Sequence, residues 1–253
     1  MHENYFKYSP SVWIVPTLLI LLMWSVFYID DSFNLHLTQL GIYPRTFSGL
    51  IGVVCSPFLH GNLNHLANNT ISLFIFTAAL IYFYREVSLK VLFYGVLLSG
   101  IITWLIGRES YHIGASGLIY VIFSFIFFKG LMSQYYRLVA LSLTIISVYG
   151  GMFWYVFPDI ENSISWEGHL AGLLTGFVFA VRFKTPDYKK ATQYEWEKPD
   201  YNPEGDKFLE RFDENGNFAP IPKEIIEEET PSYFETNFPV LYEFIENKKE
   251  EFE

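Results

Sequence analysis

The stretch Gly114-Ala115-Ser116-Gly117-Leu118-Ile119-Tyr120-Val121-Ile122-Phe123 opens as a turn of small residues and continues as an apolar run to Met132, with Lys129 in its last turn. At about 1.5 Å rise per residue, a helix of that length crosses most of the roughly 30 Å of hydrocarbon in a bilayer. It carries a hydroxyl at its first position. Similar runs fall at residues 12–29, 65–84, 89–106, 138–157 and 168–183. With 116–132 they predict an all-α membrane protein with a bundle of six transmembrane helices. The last run is short and suits a thinned bilayer or a helix with little tilt. The first has no small-residue cleavage site over residues 24–29 and is read as a retained anchor rather than a signal peptide.

Composition agrees with this class. Of 253 residues, 51% are hydrophobic and 19% aromatic, and the mean hydropathy is +0.22, which excludes an ordinary soluble domain. Residues 1–183 carry 8 Lys/Arg and 8 Asp/Glu of the 17 and 27 in the chain, so residues 184–253 supply the whole formal charge of −10. The expected organisation is therefore a neutral membrane domain, 1–183, and an acidic, partly disordered tail, 184–253. Within the tail, a short helix is expected near 240–249 and a turn at Asp213-Glu214-Asn215-Gly216. The single cysteine, Cys55, cannot form an internal disulfide and reads as apolar filler.

Positive charge between the spans sets the orientation, because Lys and Arg in short loops resist translocation. With the N-terminus inside, Lys7, Arg85, Lys90, Lys129, Arg137 and Arg182 are cytoplasmic, and only Arg45 and Arg108 fall outside. Both termini are then cytoplasmic, as expected for a multi-pass protein of a bacterial cell membrane. The long first loop, 30–64, contains an apolar part, 47–59, broken by Gly49, Gly52 and Pro57. That part is too short to span and is expected to lie in the outer interface.

Threading the chain alternately brings His65 and Asn69, Ser116 and His169 to the outer ends of spans two, four and six. Imidazole, amide and hydroxyl groups in hydrocarbon need a reason to be there. A nucleophile, a base and hydrogen-bond donors are the parts of an acyl-transfer site. Ser116 follows Gly114 and Ala115 at a helix start, where the first backbone N–H groups lack helical acceptors, and Gly117 lets a neighbour approach closely. The alternative is a helix-packing Ser and Gly pair. His169 lies in Gly168-x-x-x-Gly172-x-x-x-Gly176, a small-residue face for close helix contact, and otherwise reads as a histidine that ties helices together.

Glu167 is two residues from His169 and points elsewhere, so a dyad is expected rather than a triad. Tyr120, four residues after Ser116, either orients the imidazole by stacking or is ordinary aromatic packing. His65 and Asn69, also four apart, are donors to an oxyanion or a polar clasp between helices. A metal site with His60, His112 and His169 lacks the usual ligand spacing, so no metal or other cofactor is expected. His60 is expected to bond within the first loop, and His2, His36 and His112 to have no chemical role.

The order His60-x4-His65-x3-Asn69, Gly114-Ala115-Ser116-Gly117-x2-Tyr120 and Gly168-His169-x2-Gly172 resembles the rhomboid family of intramembrane serine proteases over roughly residues 10–183. The resemblance implies a serine endopeptidase with Ser116 as nucleophile and His169 as general base. It also implies an oxyanion hole of His65, Asn69 and the Ser116 amide, with Tyr120 packed on His169. Where many relatives have a Trp-Arg pair in the first loop, this chain has Tyr43-Pro44-Arg45. Expected partners are the lipid bilayer and single-span transmembrane substrates with small or helix-breaking residues near the outer face. No nucleic acid is expected, and the tail's partner is unassigned. The rival readings are a non-catalytic substrate-binding relative and a transporter using the same residues as a proton relay.

Overall fold

The computed structural model describes residues 6–158, 160, 164–185, 194, 196 and 198–219. Among them are seven α-helices, in order α1 (Ser11–Phe33), α2 (Gly52–Cys55), α3 (Leu63–Phe83), α4 (Arg85–Ile106), α5 (Ser116–Ser133), α6 (Tyr136–Tyr149) and α7 (Trp166–Arg182). No strand forms among the described residues. Five segments are long and apolar enough to cross a membrane: α1, α3, α4, α5 and Tyr136–Val156. The run expected as a sixth span is the 17-residue α7. It starts earlier than residue 168 because the Ser165 hydroxyl caps it, accepting the Gly168 N–H at 3.1 Å. The run 138–157 is not one α-helix: α6 stops at Tyr149, and Gly150–Val156 continues as a tighter 3-10 helix from the Gly150-Gly151 pair.

α5 lies at the centre. Every residue from 118 to 126 is buried, so this helix has no exposed face over that span and is packed all round, as a helix apolar on every side must be. α7 lies against it through small residues. A Cβ on Gly172 would sit 2.3 Å from the Gly117 carbonyl oxygen, and one on Gly176 would sit 2.2 Å from that of Val121. Only glycine allows the two backbones to come so near. Two polar ties join the same pair: the Ser124 hydroxyl donates to the Leu173 carbonyl at 2.7 Å, and Lys129 Nζ donates to the carbonyls of Ala180 at 3.1 Å and Phe183 at 2.6 Å. The lysine thus meets the negative end of the α7 dipole.

The first loop is not a free strap. Its apolar part folds into short helical turns, Ser48–Leu50, α2 and Ser56–Phe58. Arg45 Nη1 donates to the Gly107 carbonyl at 2.7 Å, and Trp104 Nε1 donates to that of Thr46 at 2.8 Å. Ile42 and His112 exchange backbone hydrogen bonds at 3.0 and 2.9 Å, and the Gly114 N–H donates to Ser56 at 2.8 Å. The loop therefore braces the turn that leads into α5.

The chain divides into two compact units, Met1–Gln193 and Tyr194–Glu253. In the second, the Asp213 carboxylate accepts the N–H groups of Asn215 at 2.9 Å and Asn217 at 2.8 Å, which closes the turn expected there. The helix expected near 240–249 lies outside the described residues.

Candidate functional site

Asn62 caps α3, its side chain accepting the His65 N–H at 2.8 Å, so His65 enters the helix in its first turn and Asn69 follows one turn later on the same face. Both side chains press on Gly114. That residue has φ +105°, and a Cβ there would lie 2.6 Å from His65 Nε2 and 3.3 Å from Asn69 Nδ2. Conformation and space both demand glycine two residues before Ser116.

Asn69 is buried, and its Nδ2 donates to His60 Nε2 at 3.0 Å. His60 was expected to bond within its own loop. Its ring lies by the Phe58 backbone of that loop and also reaches α3, where Nε2 accepts from the Asn69 amide. Burial, with His65 beside it, pushes His60 down to about 4. The ring is therefore neutral near pH 7 and keeps the lone pair that Asn69 needs.

Ser116 is the first residue of α5 and is half-buried. Its N–H and that of Gly117 belong to the first turn, at the positive end of the dipole. Across the contact, His169 lies in the first turn of α7 and is buried. Its ring stacks on Tyr120 with centroids 4.2 Å apart and planes at 15°. Tyr120 is one turn along α5 from Ser116, on the same face. His169 Nδ1 lies 2.9 Å from the Tyr155 carbonyl oxygen. A carbonyl only accepts, so Nδ1 carries the proton and Nε2 keeps its lone pair. Among the described residues no hydrogen bond joins Nε2 to the Ser116 hydroxyl, and neither group bonds to anything else. The Tyr120 hydroxyl donates to the Met152 carbonyl, so the turn after α6 is pinned over the imidazole by the same tyrosine.

Beside Ser116 is a cavity of about 30 Å³ whose lining includes Ser99, Thr103, His112, Gly114, Ser165 and Gly168. That is room for a water or two, with polar partners at hand. Among the described residues no three His, Cys, Asp or Glu side chains are grouped to hold a metal ion.

His112 is the residue that the sequence reading missed. Expected as a bystander, it is buried at 4% exposure, and its Nδ1 lies 2.6 Å from Ser165 Oγ. Burial lowers its pKa. Glu167 is buried as well, and its carboxylate is taken by Arg108, with Oε1 accepting the Arg108 N–H at 3.0 Å. It does not complete a triad. No motif or periodicity marked either residue, because Ser165, which His112 meets, and Arg108, which holds Glu167, are each more than fifty positions away in the chain.

A sequence model of the Rhomboid domain matches residues 48–185, the part of the chain that holds α3, α5, α7 and all the residues just described. The chain belongs to the rhomboid family. It is also 34% identical over 178 residues to the uncharacterized protein Rv1337 of Mycobacterium tuberculosis, covering 66% of this chain and 73% of that protein. The uncharacterized protein Mb1372 of Mycobacterium bovis gives the same figures. The uncharacterized protein ML1171 of Mycobacterium leprae is 30% identical over 191 residues, covering 70% of this chain and 75% of its own length. With its apolar helices, this rhomboid-family chain is an integral membrane protein. The rhomboid family is in general one of intramembrane serine proteases and also has inactive members.

Proposed function

We propose that this rhomboid-family chain is an active intramembrane serine endopeptidase that cleaves single-span membrane proteins near the outer face of a bacterial cell membrane. In this reading α7 is the sixth span, and both termini are cytoplasmic, as the distribution of Lys and Arg favours. The observation that carries the reading is the stack of His169 on Tyr120, one turn along α5 from Ser116, with His65 and Asn69 against the same turn. An alcohol, an imidazole with a bare Nε2 and amide-type donors then share one depth.

The chemistry follows from those groups. His169 Nε2 takes the Ser116 proton as Oγ attacks the carbonyl carbon of the scissile peptide, and the carbonyl π electrons move to oxygen. The Ser116 N–H, Asn69 Nδ2 and His65 donate to that oxyanion, each donor accounting for about 10²–10³ in kcat. When the tetrahedral intermediate collapses, the C–N bond breaks and His169 passes its proton to the leaving amine. Water then attacks the acyl ester with His169 again as base, releasing the acid and regenerating Ser116.

In a triad, a carboxylate fixes the tautomer. Here the Tyr155 carbonyl does so by accepting the Nδ1 proton. A helical substrate hides its carbonyls in its own hydrogen bonds, so the scissile segment must unwind, which favours small or helix-breaking residues there.

The test is labelling of the full-length chain by a fluorophosphonate in detergent or liposomes. Ser116 is expected to label, with labelling lost in Ser116→Ala and reduced at least about 100-fold in His169→Ala. An unlabelled wild type, or labelling indifferent to His169, overturns the assignment.

A further inference from the structure

Glu167 is among the most buried side chains in the molecule, at 1% exposure, and stands two residues before His169. Its Oε1 accepts the Arg108 N–H at 3.0 Å and its Oε2 lies 3.4 Å from Arg108 Nη1. The same guanidinium donates through Nη2 to the Ile164 carbonyl at 2.7 Å. The Arg108 carbonyl in turn accepts from His112 Nε2 at 3.1 Å. With that nitrogen donating, His112 Nδ1 is the acceptor for the Ser165 hydroxyl at 2.6 Å, and Ser165 Oγ accepts the Gly168 N–H at 3.1 Å. A single neutral tautomer of His112, Nε2 donating and Nδ1 accepting, satisfies both of its bonds in this circuit.

The circuit joins two short stretches. One, 108–112, ends four residues before Ser116, and the other, 164–168, ends one residue before His169. It is anchored again where His112 pairs with Ile42 of the first loop. Its position answers a need created by the glycines of α7. A smooth small-residue face lets two helices approach closely but offers few knobs to set how far one slides along the other. Lys129 ties the inner end of the pair, and the circuit ties the outer end, where the chemistry is.

We propose, resting on the Ser116 and His169 reading, that Glu167, Ser165 and His112 are positioning residues that set the separation of nucleophile and base. None of them touches the reacting atoms. Their effect passes through the turn before α5 and the first turn of α7. A displacement of about 1 Å between reacting groups costs on the order of 100-fold in rate.

The experiment compares the full-length wild type with Glu167→Gln, Ser165→Ala and Ser165→Thr. It measures the rate of Ser116 labelling by a fluorophosphonate, and kcat and KM on a transmembrane peptide, with thermal unfolding followed alongside. Gln keeps the shape and one acceptor but not the charge, and Thr keeps the hydroxyl. Well below their unfolding temperatures, Glu167→Gln and Ser165→Ala are expected to label about 10–100-fold more slowly, with kcat falling in parallel and KM within about two-fold of wild type. Ser165→Thr is expected to regain most of the rate. Folded Glu167→Gln and Ser165→Ala that label at the wild-type rate overturn the proposal and leave the protease reading standing. So does a loss of activity that merely tracks the unfolded fraction, with the folded protein labelling normally. If Glu167→Gln does not fold, the Ser165 pair decides, since Ala and Thr differ there chiefly in the hydroxyl. An unlabelled wild type overturns both readings together.

Discussion

α5 and the stretch Tyr136–Val156 are both long and apolar, yet they are buried to very different degrees, 56% of the one against 17% of the most apolar part of the other. On α5 nine consecutive residues are buried. On α6 the buried residues are Leu138, Ser142 and Ile145, one stripe at helical spacing. Ser142 sits so close to Gly130 of α5 that a Cβ there would fall 2.0 Å from its hydroxyl oxygen. The interior pair, α5 and α7, is locked by backbone proximity, whereas α6 is held along a single line. Hydropathy sees two similar segments, and packing makes one the scaffold for Ser116 and Tyr120 and the other a rim. The rim still reaches the candidate site, because the turn that ends it offers the Met152 and Tyr155 carbonyls to Tyr120 and His169.

The harshest test of the locked interior is Gly172→Ala. The added methyl would need room now filled by the Gly117 carbonyl, 2.3 Å away, so α7 must back off next to Ser116. Overpacking of this kind costs about 1–3 kcal/mol, and proteolysis is expected to fall at least about 100-fold because the displaced backbone carries Ser116, the proposed nucleophile. Cleavage of a transmembrane peptide and thermal unfolding in detergent measure the two effects. A variant with wild-type activity would mean that the interior pair is no more rigid than the rim.

Acid is the next largest perturbation, and it also separates the two regions. The buried stripe of α6 holds no titratable group, while the loops bracing the interior site hold His60 and His112 as buried, neutral rings. His60 is pushed from 6.5 down to about 4, so below pH 6.5 the unfolded chain binds a proton that the folded chain refuses. Stability is then independent of this group above about pH 6.5, falls as the pH drops toward 4 and levels off below it. The slope is about 1.4 kcal/mol per pH unit, or about 3 kcal/mol over the window. His112, also lowered by burial, acts in the same direction. Unfolding measured from pH 8 to pH 4 is expected to show the loss, and His60→Asn to flatten part of it. A flat wild-type profile would mean that these rings are charged or wet in the folded protein.

The link between rim and interior is probed by Tyr120→Phe. The ring that stacks on His169 is kept, and only the hydrogen bond to the Met152 carbonyl is lost. A neutral hydrogen bond is worth about 0.5–1.5 kcal/mol, so kcat is expected to fall roughly three- to ten-fold as the turn after α6 loosens over the imidazole. An unchanged kcat would show that the turn is held by other contacts.

Much of this contrast was legible in the sequence, and the illegible part has a common cause. Polar residues in apolar runs stand out, and the i, i+4 rule puts His65 with Asn69 and Ser116 with Tyr120. The Gly168-x-x-x-Gly172-x-x-x-Gly176 row announces a close helix contact. Helix ends were harder. The Ser165 cap moved the start of α7, and the Gly150-Gly151 pair ended α6 inside a run that hydropathy treats as continuous. The pairings of His112 with Ser165 and of Glu167 with Arg108 were not legible at all. They depend on loops from distant parts of the chain meeting in space, and a backbone carbonyl such as that of Tyr155 has no signature in an amino-acid string.

The smallest effect is expected on the outer face of the rim. Leu143 lies on α6 away from the buried stripe and is 56% exposed. In water its truncation would relieve an apolar surface. In a bilayer, lipid chains are as apolar as leucine itself, so Leu143→Ala exchanges one apolar neighbour for another and leaves no cavity. Thermal unfolding in liposomes is expected to change by less than about 0.5 kcal/mol, with cleavage unaffected. A cost above about 1 kcal/mol would mean that this face packs against protein rather than lipid, either a second copy or a partner helix. α6 would then be a buried element of a larger assembly and not the loosely held edge that its single stripe implies.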